Sequence, residues 1–476
     1  MIIIFSSPYI EELADSGKKQ RMHEFRLDLS GDLKEVKWQK FNQFTILTNR
    51  QEDPDKEIFK RMLSSKAMID LDIEEYQEYA DEVPPERLIL STHLIDFDQE
   101  QIEDFLDTSI EAKFYKLIFE PESFSEMTAC AEMIAARPNR KYIFNALGKW
   151  AFFQRTFFFH FNSAAAYFAL IDPVVQSQPN YWEFTKVLAI SHLENIVLLI
   201  GGGDLSESGS MTWGNDYYSD KELQEMIKPP KSMIDEEGEI SLPKEKHYAY
   251  LPAPINDIAE LHEVLDWLKT RSAVHNVFGL AITSPFKHEM AKYLGSHRHS
   301  INTVAFWDRK SLDNTYHEGF KSFVRSTNTD IVALNHILRD MKVAKDATIQ
   351  LYGSGDCAYA FAAQLKRQGY TKVFLSARNK EKLKELSEKL KLPAQELEKC
   401  DLLINTTPLG LSAEDDLSTL PEFSMLIDLG IKGEEESGLT AIAIEKDILY
   451  VDGENFWTVQ HIFQRTEIDG AAIYSD

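Results

Sequence analysis

Short apolar runs recur along roughly the first 190 residues, with polar, helix-compatible stretches between them. The runs are IIIF from residue 2, EFRLDL from 24, FTILTN from 44, MIDLDI from 68, RLILSTH from 87, AKFYKLIF from 112, KYIFNAL from 141 and TFFFHF from 156. Each reads as a β-strand. Helices are expected between many of them, for example over 98–108 and 123–136. Eight strands alternating with helices predict a closed (β/α)8 barrel of the TIM type, shorter than the usual ~250 residues.

The pattern changes near Ile196. IVLLIGGG reads as a strand running into a turn, with further strands at HYAYLPA and NVFGLAIT and an amphipathic helix over 257–270. The polar stretch 228–246 reads as a surface loop. From Ala347 a strand–helix rhythm sets in: ATIQLYG, then the turn and helix of GSGDCAYAFAAQLKRQG, then KVFLSAR, the helix NKEKLKELSEKL, CDLLINTTP and SMLIDLG. That rhythm predicts a parallel α/β sheet. No repeats or low-complexity segments interrupt it.

Composition narrows the function classes. A chain of 476 residues with 43% hydrophobic content supports about three domains at roughly 150 residues each. A net charge of −26 speaks against nucleic acid, since a phosphate backbone would be repelled. The three cysteines, Cys130, Cys357 and Cys400, show no CxxC spacing, so neither a disulfide framework nor a zinc site is expected. The N-terminal MIIIF lacks a basic n-region and reads as a buried strand rather than a signal peptide. No apolar run approaches the ~18 residues of a membrane span. The expectations are a cytoplasmic protein, no metal, no membrane, small-molecule substrates, and a monomer or homodimer.

Candidate chemistry in the barrel sits at strand C-terminal ends. Glu24 and Arg26 alternate onto one face of the second strand. Arg50 follows the third strand, His93 ends the fifth, and Lys116 lies inside the apolar FYKLIF. Desolvation and nearby cations depress a lysine pKa and free its amine to attack a carbonyl. Arg26 and Arg50 would supply cations or grip a carboxylate, and His93 would move protons. The competing reading pairs Lys116 with a buried acid such as Glu24 and leaves His93 as a strand-end histidine.

The order and spacing of EFRLD, TILTNR, IDLD, LILSTH and YKLIF resemble type I 3-dehydroquinate dehydratase across the whole first region. That resemblance implies Lys116 as the Schiff-base lysine and His93 as general acid/base. It implies Glu24, Arg26, Arg50, Arg155 and Gln178 as substrate-site residues. The chain departs from the family pattern after Arg50, where RQEDPD offers Glu52 or Asp53, and at Leu147-Gly148.

In the remainder, GSGDCA follows a strand and opens a helix, the context a dinucleotide turn requires. Gly353 permits the turn, Gly355 admits a pyrophosphate, and the helix N-terminus favours an anion. The next strand ends in Ser376-Ala377-Arg378-Asn379 with Lys382 beyond. Cations instead of an acid there suit a ribose 2′-phosphate, hence NADP(H). Lys287 of GLAITSPFK and Asp330 of STNTD form a candidate proton-relay pair for a secondary alcohol, against the alternative of an ordinary ion pair.

Together these segments resemble shikimate dehydrogenase over nearly all of 196–476. The resemblance implies Lys287 and Asp330 as catalytic and Ser208, Ser210, Thr283, Asn302 and Gln460 as substrate contacts, with Asn215 on the same loop spacing as the serines. It implies Gly353, Ser354, Gly355, Asp356, Ala377, Arg378, Asn379, Lys382 and Thr406 around the cofactor. Departures are Ala281 and Ile431. The expected layout is a dehydratase barrel over 1–192 followed by a two-lobed dehydrogenase unit. Its substrate lobe spans 193–335 plus 453–476, and its C-terminal Rossmann-like NADP domain spans 336–452.

The expected function is dehydration of 3-dehydroquinate to 3-dehydroshikimate through a lysine Schiff base, then NADPH reduction to shikimate. The alternatives are a shikimate/quinate dehydrogenase beside an inactive barrel, and a non-catalytic metabolite or NADP sensor.

Overall fold

The computed structural model describes residues 2–7, 21–30, 33, 36–51, 56–79, 82–169, 178, 196–203, 205, 208–211, 249–270, 277–306, 324–418, 420–431 and 436–468. Glu52, Asp53, Asn215 and the stretch 228–246 lie outside them. By proximity the chain divides into two units. One is Met1–Asn195 with Gly203–Ser206 and Tyr248–Asn276; the other is Ile196–Gly202, Glu207–His247 and Val277–Asp476.

The first unit is built on eight parallel strands: β1 (Ile2–Ser7), β2 (Arg21–Arg26), β3 (Thr45–Thr48), β4 (Met68–Asp72), β5 (Leu88–His93), β6 (Phe114–Phe119), β7 (Tyr142–Ala146) and β8 (Ala165–Ala169). Their order is β7-β6-β5-β4-β3-β2-β1-β8. The two ends meet where the Ala164 N–H donates to the Tyr142 carbonyl at 2.7 Å, so the sheet curls into a barrel. Alternation along each strand stacks the interior in layers. The lower layer is apolar: Ile4, Met22, Ile46, Met68, Ile89, Phe114, Ile143 and Ala165. Two positions further along every strand stand Ser6, Glu24, Thr48, Asp70, Ser91, Lys116, Asn145 and Tyr167, all buried. The barrel thus carries a polar ring directly on its apolar plug.

Seven of the expected strands are present, and the eighth is corrected. TFFFHF does not form a strand: residues Ala151–Thr156 are α-helix and Phe158–Phe161 a 3-10 turn. The reason is a helical stripe. Phe153, Phe157 and Phe161 recur every four residues, and all three rings face Trp267 at centroid distances of 5.9, 5.9 and 5.7 Å. The true β8 is AAYFA, whose small residues carry little strand signal. Trp267 belongs to the helix Ile258–Thr270, which follows β10 (Ala249–Pro254) and packs on the barrel.

In the second unit, β9 (Ile196–Gly201) pairs parallel with β11 (Val277–Ile282). β11 pairs antiparallel with β12 (Thr303–Phe306), and β12 with β13 (Val324–Thr327). A second sheet is wholly parallel: β14 (Thr348–Tyr352), β15 (Lys372–Ser376), β16 (Lys399–Asn405), β17 (Glu422–Asp428) and β18 (Leu449–Val451), in the order β15-β14-β16-β17-β18. This doubly wound order reverses between β14 and β16, and ligands of such sheets bind at the strand C-termini beside that reversal. The last helix, Gly453–Ile468, returns to the first sheet, where Gln464 Nε2 donates to Thr303 Oγ1 at 3.1 Å.

Candidate active sites

In the barrel, the polar ring is a connected network. Lys116 Nζ donates to Asp70 Oδ2 at 2.5 Å and lies 3.5 Å from Glu24 Oε1. Glu24 accepts from Ser6 Oγ at 2.6 Å and Thr48 Oγ1 at 2.9 Å. Arg50 forks onto Asp70 Oδ1 and Ser91 Oγ, each at 2.7 Å. Burial alone would raise the Asp70 pKa, but the charges of Lys116 and Arg50 outweigh it and hold the carboxyl well below its usual range. Burial likewise opposes the Arg50 charge, and Asp70 and Glu75 overcome it.

The competing partner for Lys116 is therefore real, and its chief member is Asp70 rather than Glu24. Alternation in MIDLDI puts Asp70 and Asp72 on one face, a signal available in the sequence. Asp72 Oδ2 meets His93 Nδ1 at 2.9 Å. Desolvation at the strand ends lowers the His93 pKa; Asp72 opposes this, while Lys116 and Arg50 add to it. His93 is consequently neutral near pH 7.

Arg155 is buried and donates to the backbone carbonyls of Tyr167 at 2.8 Å and Ala146 at 3.2 Å. Burial pulls its pKa down to about 9, with Glu24 opposing. Arg26 is engaged bidentately by Asp28 at 2.9 and 2.6 Å. Gln178 is buried.

In the second unit, Lys287 begins the helix Lys287–Tyr293, and its Nζ donates to Asp330 Oδ2 at 2.6 Å. Asp330 sits in the first turn of the helix Thr329–Asp340, capped by Asn328. Asn302 fixes the other carboxylate oxygen, Nδ2 to Oδ1 at 2.9 Å, while its own Oδ1 accepts from the Thr329 N–H at 2.8 Å. Gln460 Nε2 reaches Thr329 Oγ1 at 2.5 Å. Burial opposes the Lys287 charge, but Asp330 and Cys357 prevail and raise its pKa. The amine is an ammonium at neutral pH. Cys357 Sγ lies 3.7 Å from Lys287 Nζ and 3.8 Å from Asp330 Oδ2, a contact the sequence reading missed. Thr283 stands half-buried just after β11, four residues before Lys287. Ser208 and Ser210 flank Gly209, where a Cβ would come 2.6 Å from the Trp457 indole nitrogen. The serine turn thus abuts the helix that carries Gln460.

The glycine turn occupies the β14/β16 switch point. Gly353 has φ +136°, and a Cβ there would collide with Thr406 Oγ1, which itself donates to Tyr352 O at 2.9 Å. A Cβ on Gly355 would meet open space. Ser354 is half-exposed, and Asp356 opens the helix Asp356–Arg367. Beyond β15, Ala377 is buried and Asn379 caps the helix Lys380–Leu390 through the Lys382 N–H at 3.0 Å. Arg378 and Lys382 are exposed, and among the described residues neither enters an ion pair. An open glycine turn at a helix N-terminus with two uncommitted cations fits a dinucleotide bearing an extra phosphate. Among the described residues no cluster suited to a metal ion occurs, and no helix is long and apolar enough to cross a membrane.

Among known proteins, the chain is similar in sequence to shikimate dehydrogenases.

The match to the shikimate dehydrogenase (NADP(+)) of Aquifex aeolicus is 28% identical over 197 residues, 37% of this chain and 65% of that protein. The match to the enzyme of the same name from Dictyoglomus turgidum is 23% identical over 191 residues, covering 37% and 66%. A shikimate dehydrogenase-like protein of Haemophilus influenzae is 27% identical over 136 residues, covering 28% and 48%. The chain therefore spans about half to two thirds of the length of these relatives. No family model matches. Among solved structures, the dehydroquinate dehydratase and shikimate dehydrogenase from S. pombe AroM aligns over 99% of this chain and 95% of that one, at 16% identity and a TM-score of 0.37.

Proposed function

We propose that the protein is a bifunctional enzyme that dehydrates 3-dehydroquinate in its barrel and reduces the resulting 3-dehydroshikimate to shikimate with NADPH. One observation carries the proposal. Among the described residues, each unit holds one lysine amine ion-paired to a buried aspartate inside a cluster of hydrogen-bonding side chains.

In the barrel, Asp70 and Glu24 aim the Lys116 amine. Neutral His93 accepts the proton the amine must lose before it attacks the substrate ketone. The iminium then acidifies the neighbouring C–H. His93 takes that proton and assists loss of the hydroxyl as water, and hydrolysis frees Lys116. Arg50 and Arg155 offer cations for the substrate carboxylate and hydroxyls.

In the second unit, the glycine turn, Arg378, Lys382 and Thr406 would hold NADPH, which supplies the hydride when bound. Lys287, kept charged by Asp330, donates a proton to the oxygen of the carbonyl being reduced. Asn302 holds Asp330 in place, and Ser208, Ser210, Thr283 and Gln460 orient the substrate. The similarity to NADP-dependent shikimate dehydrogenases supports this half. The three-domain layout and a cytoplasmic location belong to the same proposal.

A second reading leaves the barrel inactive. It is favoured by the 2.5 Å contact with Asp70, because a side chain held this closely by a buried carboxylate is engaged away from a substrate carbonyl. Borohydride reduction in the presence of 3-dehydroquinate separates the two. A covalent adduct on Lys116 supports the bifunctional enzyme, and its absence supports the inactive barrel.

A further inference from the structure

The polar ring satisfies its members with one exception. Ser6, Thr48, Ser91, Glu24, Asp70 and Lys116 hydrogen-bond one another, and Asn145 Oδ1 accepts from the Tyr167 N–H at 3.4 Å. Among the described residues, only the Tyr167 hydroxyl of the ring's buried polar side-chain atoms has no hydrogen-bond partner. Tyr167 is 4% exposed, and its ring lies 4.6 Å from Lys116 Nζ. Immediately beside it, Arg155 donates to the Tyr167 carbonyl, and the Arg155 Nε is a second buried donor without a partner among the described residues. A buried hydroxyl left unpaired costs about 1–3 kcal/mol. An unpaired buried hydroxyl on the ring that lies over the Lys116 amine points to a ligand that completes it.

We propose that the Tyr167 hydroxyl is a catalytic group of the barrel, donating to the oxygen of the ketone that Lys116 attacks; this rests on the Schiff-base reading above. The Lys116 nitrogen forms a bond to the carbonyl carbon, and the C=O π pair moves onto oxygen. That oxygen takes the phenolic proton, and the phenolate recovers a proton from the now cationic nitrogen. The product is the neutral carbinolamine, and Tyr167 is regenerated with no net proton change. The hydroxyl remains protonated before the step, because burial together with Glu24 and Asp70 raises its pKa, against a smaller opposing effect of Arg50.

The test is Tyr167→Phe in the full-length chain. This variant keeps the ring over Lys116 and removes only the oxygen. The rate of borohydride-trapped adduct formation with 3-dehydroquinate should fall about 100-fold or more, the range typical for loss of a proton-transfer group. The thermal midpoint should stay the same or rise, since an unpaired buried hydroxyl is removed. An unchanged trapping rate overturns the proposal while leaving the Schiff base intact. A fall in thermal midpoint alongside the lost rate also overturns it, by showing the hydroxyl to be structural. If the wild type itself traps nothing, the Schiff-base reading fails and the role of Tyr167 falls with it.

Discussion

Lys116 and Asp70 meet inside the barrel with Nζ 2.5 Å from Oδ2, although they lie on strands separated by β5. The same carboxylate holds Arg50 through its other oxygen. Asp70 thus balances two cations at a fully buried position, and the two cations in turn hold it ionised.

Asp70→Asn leaves Lys116 and Arg50 short of a counter-charge. Breaking a buried pair from one side costs about 3–5 kcal/mol. Chemical denaturation should show a loss of that order, together with loss of dehydratase turnover. A variant as stable as the wild type would show that the pair is solvated.

The Lys287 pKa is raised, so its stabilisation is complete below the ordinary lysine value of 10.5 and is lost as pH rises through the folded-state value. Reduction of 3-dehydroshikimate should therefore show no loss from lysine deprotonation between pH 7 and about 10. In Asp330→Asn the opposing effect of burial prevails, and the alkaline limb of the pH–rate profile should move down by at least about one unit. An unmoved limb would mean that another group donates the proton.

Arg378→Ala removes an exposed cation at the end of β15. KM for NADPH should rise about tenfold or more, with kcat and KM for NADH little changed. Equal effects on both cofactors would place the 2′-phosphate elsewhere.

Gly353→Ala forces a side chain into a φ of +136° against Thr406 Oγ1. Strain of at least about 1–2 kcal/mol is expected, with weakened NADPH binding measured by fluorescence titration. Wild-type affinity in this variant would separate the turn from the cofactor.

Much of this architecture was legible in the chain. Seven barrel strands and four of the five strands of the parallel sheet are readable because alternation and strand–helix rhythm are local properties, whereas the short β18 carries too few residues to show either. TFFFHF misled because aromatic residues carry strand preference, whereas the four-residue spacing of Phe153, Phe157 and Phe161 acquires meaning only once Trp267, far along the chain, is placed against it. The Lys287–Asp330 pair was readable although the two lie 43 positions apart because each residue sits in a recognisable segment. Asp70 is not legible in the sequence as the Lys116 partner because the stagger between β4, β5 and β6 decides which side chains share a layer, and stagger is set by barrel closure. Cys357 escaped notice because its contact arises from packing of the helix after the glycine turn.

The most direct test supplies 3-dehydroquinate and NADPH together and follows nicotinamide absorbance in the wild type, Lys116→Ala and Lys287→Ala. The wild type should consume NADPH. Lys116→Ala should consume none until 3-dehydroshikimate is added, and Lys287→Ala should accumulate 3-dehydroshikimate without oxidising NADPH. NADPH consumption by Lys116→Ala from 3-dehydroquinate at the wild-type rate, or by Lys287→Ala from either substrate at that rate, would contradict an enzyme built on two aspartate-held amines.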